Sequence, residues 1–203
     1  GALPPGMIEL LVVPAAFEAL KVGDLSKLAL DQELRKSVRS YLDGYRLLTT
    51  TLNIREPRYL GIKVVAKIVS SETHRPETVV ARVTELLRCY ISPLAIQTEE
   101  ERLTDILGSG WQGWPFGRDL FLSEIYSLVQ QVPGVKHIVD VQISQRPVIP
   151  GQESVLQETP QGAGGEATVP HGTDLAAVDR RRIPVPTDTL LCSLEHEVQV
   201  VEL

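Results

Sequence analysis

Gly108-Ser109-Gly110-Trp111-Gln112-Gly113 has the spacing G-x-G-x-x-G. Such a loop cradles a pyrophosphate when a strand runs into it and a helix opens at the third glycine, so that free backbone amides meet the anion. Here an acidic helical stretch precedes the glycines and Trp114-Pro115 follows them. The spacing therefore reads as a tight loop around aromatic anchors, and no cofactor is expected. Cys192 and His196 stand four apart, a separation that lets two side chains on a helix share a metal ion. Their neighbours are strand-like, and at ~3.3 Å per residue the pair would lie about 13 Å apart, so no metal site is expected. Cys89 closes an amphipathic helix and reads as a small buried hydrophobe. His137 lies among valines and reads as a satisfied or edge histidine, while His74 and His171 sit in polar segments. Glu99, Glu100 and Glu101 read as a solvated run. Asp119 and Glu124 have no neighbouring base, and no Ser or Cys sits in a nucleophile-elbow pattern. No catalytic residue can be named, and the chain reads as a non-enzyme.

The most informative stretch is aromatic. Residues 111–126 hold both tryptophans, two of the 3 phenylalanines and one of the 5 tyrosines. In a chain that is 5% aromatic, this concentration marks a packing centre or a binding anchor. Trp111, Trp114, Phe116 and Arg118 are the structural or interface candidates. Pro115 and Gly117 are expected to turn Phe116 inward. Arg118 is expected to open the next helix, where a cation is mildly unfavourable. A local salt bridge is the first reading of Arg118 and partner binding the second. Arg180, Arg181 and Arg182 form the one basic cluster. It suits an acidic partner surface or a phosphate, or it keeps a loop solvated.

The elements that must position these residues follow from periodicity. Residues 7–13 read as a strand between Gly6 and Pro14. A helix is predicted at 31–43, with Asp31 as cap and Gly44 in the left-handed position after it. Strands follow at 49–54 and 59–69, the second with Ile62, Val64, Ala66 and Ile68 on one face. Val79, Val80, Val83, Leu86, Leu87 and Tyr90 mark an amphipathic helix that starts near Pro76. Thr98 and Glu101 resemble a capping box ahead of a helical turn through Leu103, Ile106 and Leu107. A helix at 119–131 and a strand at 135–143 complete this part. On that strand Val135, His137, Val139, Val141 and Ile143 share a side.

Residues 144–188 carry 5 Gly and 6 Pro and no aromatic residue. They cannot bury a core of their own and read as a mobile loop, an extended arm or an insertion. The element order predicts an α+β fold of two small packed α/β sandwich-like units with ferredoxin-like character. Residues 1–70 would be a first β-α-β-β unit and 71–143 a second α-α-β unit. Residues 144–188 would be the flexible arm or insertion, and 189–203 the closing strands.

Composition narrows the function. The 203 residues carry a formal net charge of −6, which lacks the electrostatic footprint of a nucleic-acid binder. No apolar run reaches the ~18 residues of a membrane helix, so no direct membrane insertion is expected. Two cysteines are too few for a disulfide scaffold. The abrupt turn-like opening Gly1-Ala2-Leu3-Pro4-Pro5-Gly6 reads as part of a longer polypeptide.

Tyr41-Leu42-Asp43, Arg46-Leu47-Leu48-Thr49-Thr50, Leu52-Asn53-Ile54, Pro57-Arg58-Tyr59 and Val64 are spaced as in the baseplate J-like proteins. Gly113-Trp114-Pro115-Phe116-Gly117-Arg118, then Glu124-Ile125-Tyr126 and Gly134-Val135, resemble the same family. So do Gly6, Ile8 and Val12-Val13-Pro14, which resemble the start of its C-terminal region. The resemblance covers about 1–143 and 184–203, with 144–183 as a variable insertion. It implies a structural wedge component in the baseplate of a contractile phage tail or injection system. The implied partners are other copies of itself and other wedge subunits, and indirectly sheath, tube and spike proteins. The implied location is a phage tail or injection particle assembled in the cytoplasm. A second reading, from another class, is a small-ligand-binding regulatory module. That reading requires a concave apolar pocket between helices and sheet.

Overall fold

Ile62, Val64, Ala66 and Ile68 alternate with Lys63, Val65 and Lys67, and this two-residue period organises the molecule. A computed structural model of the chain describes residues 4–98, 100–151 and 181–201. The elements run β1 (Met7–Leu11), α1 (Phe17–Lys21), a 3-10 turn (Leu25–Leu28), α2 (Gln32–Asp43), β2 (Thr51–Arg55) and β3 (Arg58–Ser70). Then come α3 (Pro76–Tyr90), α4 (Glu101–Leu107), β4 (Leu120–Phe121), α5 (Leu122–Gln130) and β5 (Val135–Val148). The chain returns through β6 (Arg182–Ile183), β7 (Thr189–Ser193) and β8 (Glu197–Val200). This is an α+β fold, as the order of elements implies.

β3 is the central strand of the main sheet. β5 runs antiparallel along one edge, from Tyr59 opposite Val148 to Ser70 opposite Val135. Along the other edge β7 and β8 run parallel to it, one after the other. Ile62 faces Ser193 while Val65 faces Glu197, so the second strand carries one extra residue between its two halves. Ile62, Val64, Ala66 and Ile68 are fully buried against Val79, Val83, Leu86 and Leu87 of α3 and Ile125 and Val129 of α5. The opposite face keeps polar groups, among them a Lys63–Glu197 pair at 3.4 Å. A second cluster joins Leu20 and Leu28 to Tyr59, Cys89, Ile96, Leu190 and Cys192. β3 was placed in the first expected unit, yet all its partner strands come from residues beyond 134.

The N-terminal part is a separate two-stranded parallel sheet, β1 with β2, crossed by α2. α2 buries none of its residues. Asp31 makes no side-chain cap bond, and Gly44 is right-handed at φ −72°, not left-handed as expected. The Tyr45 and Arg46 amides both donate to the Leu42 carbonyl, so the chain leaves α2 in one more right-handed turn.

Three further expectations are corrected. First, the register of β5 slips near Ile68, where Lys67 faces Asp140 and Ile68 faces Ile138. Val139 is the extra residue and is exposed, while Ile138 packs on the core in its place. Second, residues 144–148, counted with the arm, are the end of β5 and pair with β3 from Ser144 opposite Lys63 to Val148 opposite Tyr59. Third, Ile183 and Val185, also counted with the arm, are buried in the main core. Of that segment, residues 152–180 lie outside the described residues.

The outer edge of β5 has two local features. The Tyr126 hydroxyl, from α5, accepts the Val141 N–H at 3.2 Å. Pro147 has no N–H to offer on that edge.

Candidate functional site

The aromatic stretch folds into a knot against the end of α3. Gly113 has φ +96°, and a Cβ there would sit 2.7 Å from the Leu94 backbone. Only glycine lets the loop lie this close to residues 92–94. The loop is anchored there by the Trp114 N–H, which donates to the Ser92 carbonyl at 2.6 Å. Trp114 is 1% exposed. Tyr90 stacks on Trp111 with ring centroids 5.0 Å apart and meets Trp114 edge-on at 5.3 Å. The indole N–H of Trp111 donates to the Cys89 carbonyl at 3.2 Å, and that of Trp114 to the Arg118 carbonyl at 2.9 Å. Of the glycines in the G-x-G-x-x-G match, Gly113 thus serves a backbone–backbone approach, while a Cβ at Gly108 or Gly110 would meet nothing within 4 Å.

Arg118 lies over Trp114, 4.7 Å from the ring centroid, and its guanidinium donates to Glu124 at 2.5 Å. The same carboxylate accepts the Phe121 N–H at 3.1 Å, which serves one of the free amides at the start of α5. Arg118 therefore makes the local salt bridge expected of it. It does not open the helix, which starts at Leu122. The inward turn expected of Phe116 is overturned: Phe116 is 43% exposed, and the buried ring is Trp114. An indole offers more apolar area than a phenyl ring and brings an N–H that this loop satisfies.

Asp119 holds the returning chain. Its carboxylate accepts from the Arg182 guanidinium (Nε at 2.8 Å) and from the Val185 N–H at 2.8 Å. The Val185 amide, with the hydrogen bond and charge of Arg182, holds the Asp119 carboxyl below the usual carboxylate range against desolvation. Arg182 also lies 5.9 Å from the Phe121 ring centroid. The Arg181 carbonyl accepts the Leu122 N–H at 2.8 Å, and β6 pairs with β4. Of the basic cluster, Arg182 is committed within the chain, and Arg180 lies outside the described residues. Sequence reasoning noted Asp119 and Glu124 as carboxylates without a base. It missed that Asp119 receives Arg182 from β6, and it did not name Glu124 as the partner of Arg118.

Ser193 and His196 form the pair with the most chemical interest. Ser193 Oγ lies 2.8 Å from His196 Nε2, a distance suited to a nucleophile and its base. The other ring nitrogen decides the roles. His196 Nδ1 accepts the Val64 N–H at 3.1 Å, so it carries the lone pair and the proton sits on Nε2. Nε2–H then donates to Ser193, whose hydroxyl donates to the Leu194 carbonyl at 3.1 Å. A ring nitrogen that already bears a proton cannot accept another from serine. This is a donor relay, not a catalytic dyad. Burial, and after it Arg88 and Lys63, pushes the His196 pKa down to about 4. Among the described residues no group of three His, Cys, Asp or Glu could hold a metal ion.

Open grooves among the described residues include the following two. One, of about 950 Å3, is lined by Asp24, Ser26, Arg88, Arg146, Ser193 and Glu195 among others. The other, of about 710 Å3, is lined by Lys21, Glu85, Arg88, Gln97 and Glu100 among others. The contrast is with α2 and the turn after it, where Leu34, Tyr41, Tyr45, Leu47 and Leu48 are all exposed. Sequence reasoning predicted the helix at 31–43 and did not single out this surface. The four-residue step from Tyr41 to Tyr45 and the adjacent Leu47-Leu48 were the available signal. No protein-family model matches this chain, and no curated protein matches it. Among the described residues no helix is long and apolar enough to cross a membrane.

Proposed function

We propose that this chain is a structural assembly module, and specifically a baseplate wedge component of a contractile injection machine. The observation that carries the reading is the uncovered apolar surface at Tyr41, Tyr45, Leu47 and Leu48. It lies in the stretch that resembles the baseplate J-like proteins. Exposed apolar residues gathered in one region are a feature of proteins that bury them against a partner. The partners that follow from the resemblance are other copies of the chain and neighbouring wedge subunits, with sheath, tube and spike reached through them. The aromatic knot has a supporting role here. Its N–H groups are satisfied within the chain, so it holds the fold, and Phe116 is its outward side chain. The finer fold reading belongs to the same proposal. Helices on one face of an open sheet are the layering expected of ferredoxin-like units.

The test is the state of the full-length protein in its native particle. Copies of itself should co-purify with wedge, sheath and tube proteins in a large sixfold assembly. Tyr45→Ser with Leu48→Ser should leave the unfolding transition in place and abolish assembly. A monodisperse full-length monomer without affinity for sheath or tube would end the proposal. Thermal stabilisation by a metabolite would favour the small-ligand reading instead.

A further inference from the structure

His196 occupies a place that a strand would normally fill with backbone. Between Ser193 at the end of β7 and Glu197 at the start of β8 the chain carries its extra residue, and the parallel ladder to β3 is interrupted. The Leu194 N–H still reaches the Ile62 carbonyl at 2.9 Å. The next amide on that edge of β3, the Val64 N–H, finds the His196 imidazole in place of a carbonyl. Val64 is fully buried, so without that acceptor its N–H would be an orphan in the core. The ring is fixed from behind by Ser193 and Leu194.

We propose that His196 is a proton-operated latch that holds β8 to β3. Neutral, it splices the two halves of the interrupted strand to the central one. Protonated at Nδ1, it sets a donor against the Val64 N–H donor and the splice opens. The surroundings oppose the charged form. Arg88 faces the ring from α3 and Lys63 from β3, and both act against a further positive charge. On the other side, Glu197 of β8 pairs with Lys63, and Glu195 lies in the connection itself. Arg146 of β5 lines the same groove as Ser193 and Glu195. From β7 the ring meets the uncharged Ser193. The latch would act whatever assembly the chain joins.

Native-state hydrogen exchange of the whole chain tests this, with Val65 as internal reference. Val65 is adjacent on β3 and directs its amide to the opposite edge, toward β5. Corrected for intrinsic exchange, Val64 should lose about 20-fold more protection than Val65 between pH 7 and pH 5, the ratio expected for a ring with a native pKa of about 4 that titrates normally once exposed. His196→Asn keeps an acceptor near the Nδ1 position and cannot be protonated there, so its Val64 protection should follow that of Val65 at both pH values. Equal loss at Val64 and Val65 in the natural chain would overturn the latch, because it would mean global opening. So would an unchanged pH response in the asparagine variant. If that variant does not fold, the Val64-to-Val65 ratio in the natural chain decides alone.

Discussion

Trp114 and Tyr45 are both large aromatic side chains beside turns, and they meet opposite fates. The knot around Trp114 gathers groups from distant places: Tyr90 from the end of α3, the Ser92 carbonyl, Arg118 and Glu124. Each polar atom that goes inside finds a partner, so the apolar rings can go inside with it. Around Tyr45 the only ring partner described is Tyr41, at 5.2 Å, and α2 buries nothing. One helix on a two-stranded sheet has too little surface to enclose such residues. Beside the apolar cluster of Leu20 and Leu28 with Tyr59, Leu190 and Cys192, polar contacts tie this region together and to the main sheet. Arg55 bridges Glu9 of β1 at 2.8 Å and Asp188 before β7 at 3.2 Å, and the Leu30 N–H donates to Glu56 at 3.0 Å. One region encloses its rings, the other leaves Tyr41 and Tyr45 bare. The lesson is that aromatic content alone does not make a core. Convergence of elements does.

The comparison can be broken at several levels. The largest effect should come from Trp114→Ala, which should cost about 3–5 kcal/mol in denaturant unfolding. A loss below about 1 kcal/mol would show that the knot is peripheral.

Acid should act next, and on the sheet half. Above about pH 6.5 the folded and unfolded chains both hold His196 neutral. Below that the unfolded chain takes a proton that the folded chain refuses, so stability falls as pH falls. The loss should reach about 3 kcal/mol and be complete near pH 4, as read from unfolding midpoints across that window. Asp119 enters lower still. Its folded pKa is depressed, so its contribution is present above the ordinary carboxylate range and is lost as pH drops through the lowered value.

Arg55→Ala should cost about 1 kcal/mol, and this cost should shrink in high salt, because the bridge is partly exposed. An effect as large as that of Trp114→Ala would mean that the N-terminal region is welded on as firmly as the knot. The smallest change is expected at Leu48, which is 100% exposed. Leu48→Ser should move the stability of the isolated chain by no more than about 0.5 kcal/mol. A larger loss would show that Leu48 is covered.

Where one period ruled, the sequence was readable. Ile62 to Ile68 on β3 and Val79 to Leu87 on α3 face the core because regular strands and helices repeat by geometry. Reading failed where a single residue or a distant contact decided the outcome. Val139 breaks the alternation of β5 through a bulge, which leaves no mark in a pattern of valines. Residues 144–148 look like linker by composition, yet they pair because β3 extends far enough to receive them. Phe116 and Trp114 are two residues apart, and that spacing does not show that Tyr90 and the Ser92 carbonyl, far away in sequence, receive Trp114. The salt bridge of Arg118 was legible because its partner is only six residues on. The partner of Arg182, Asp119, is 63 residues away and was not. His196 reads as one more residue of an extended segment until its ring is found in the ladder.

The edge of β5 carries a last consequence. A bare strand of that length is a template on which identical chains can stack without limit, the route to fibrous aggregates. Here the Tyr126 hydroxyl stoppers one outward amide, Pro147 removes another, and the bulge at Val139 bends the strand between Lys136 and Asp140. A chain with sticky tyrosines and leucines at one end has its longest sheet margin blunted at three points. Any crowding of many copies is thereby steered away from open-ended strand addition and toward contacts that can close.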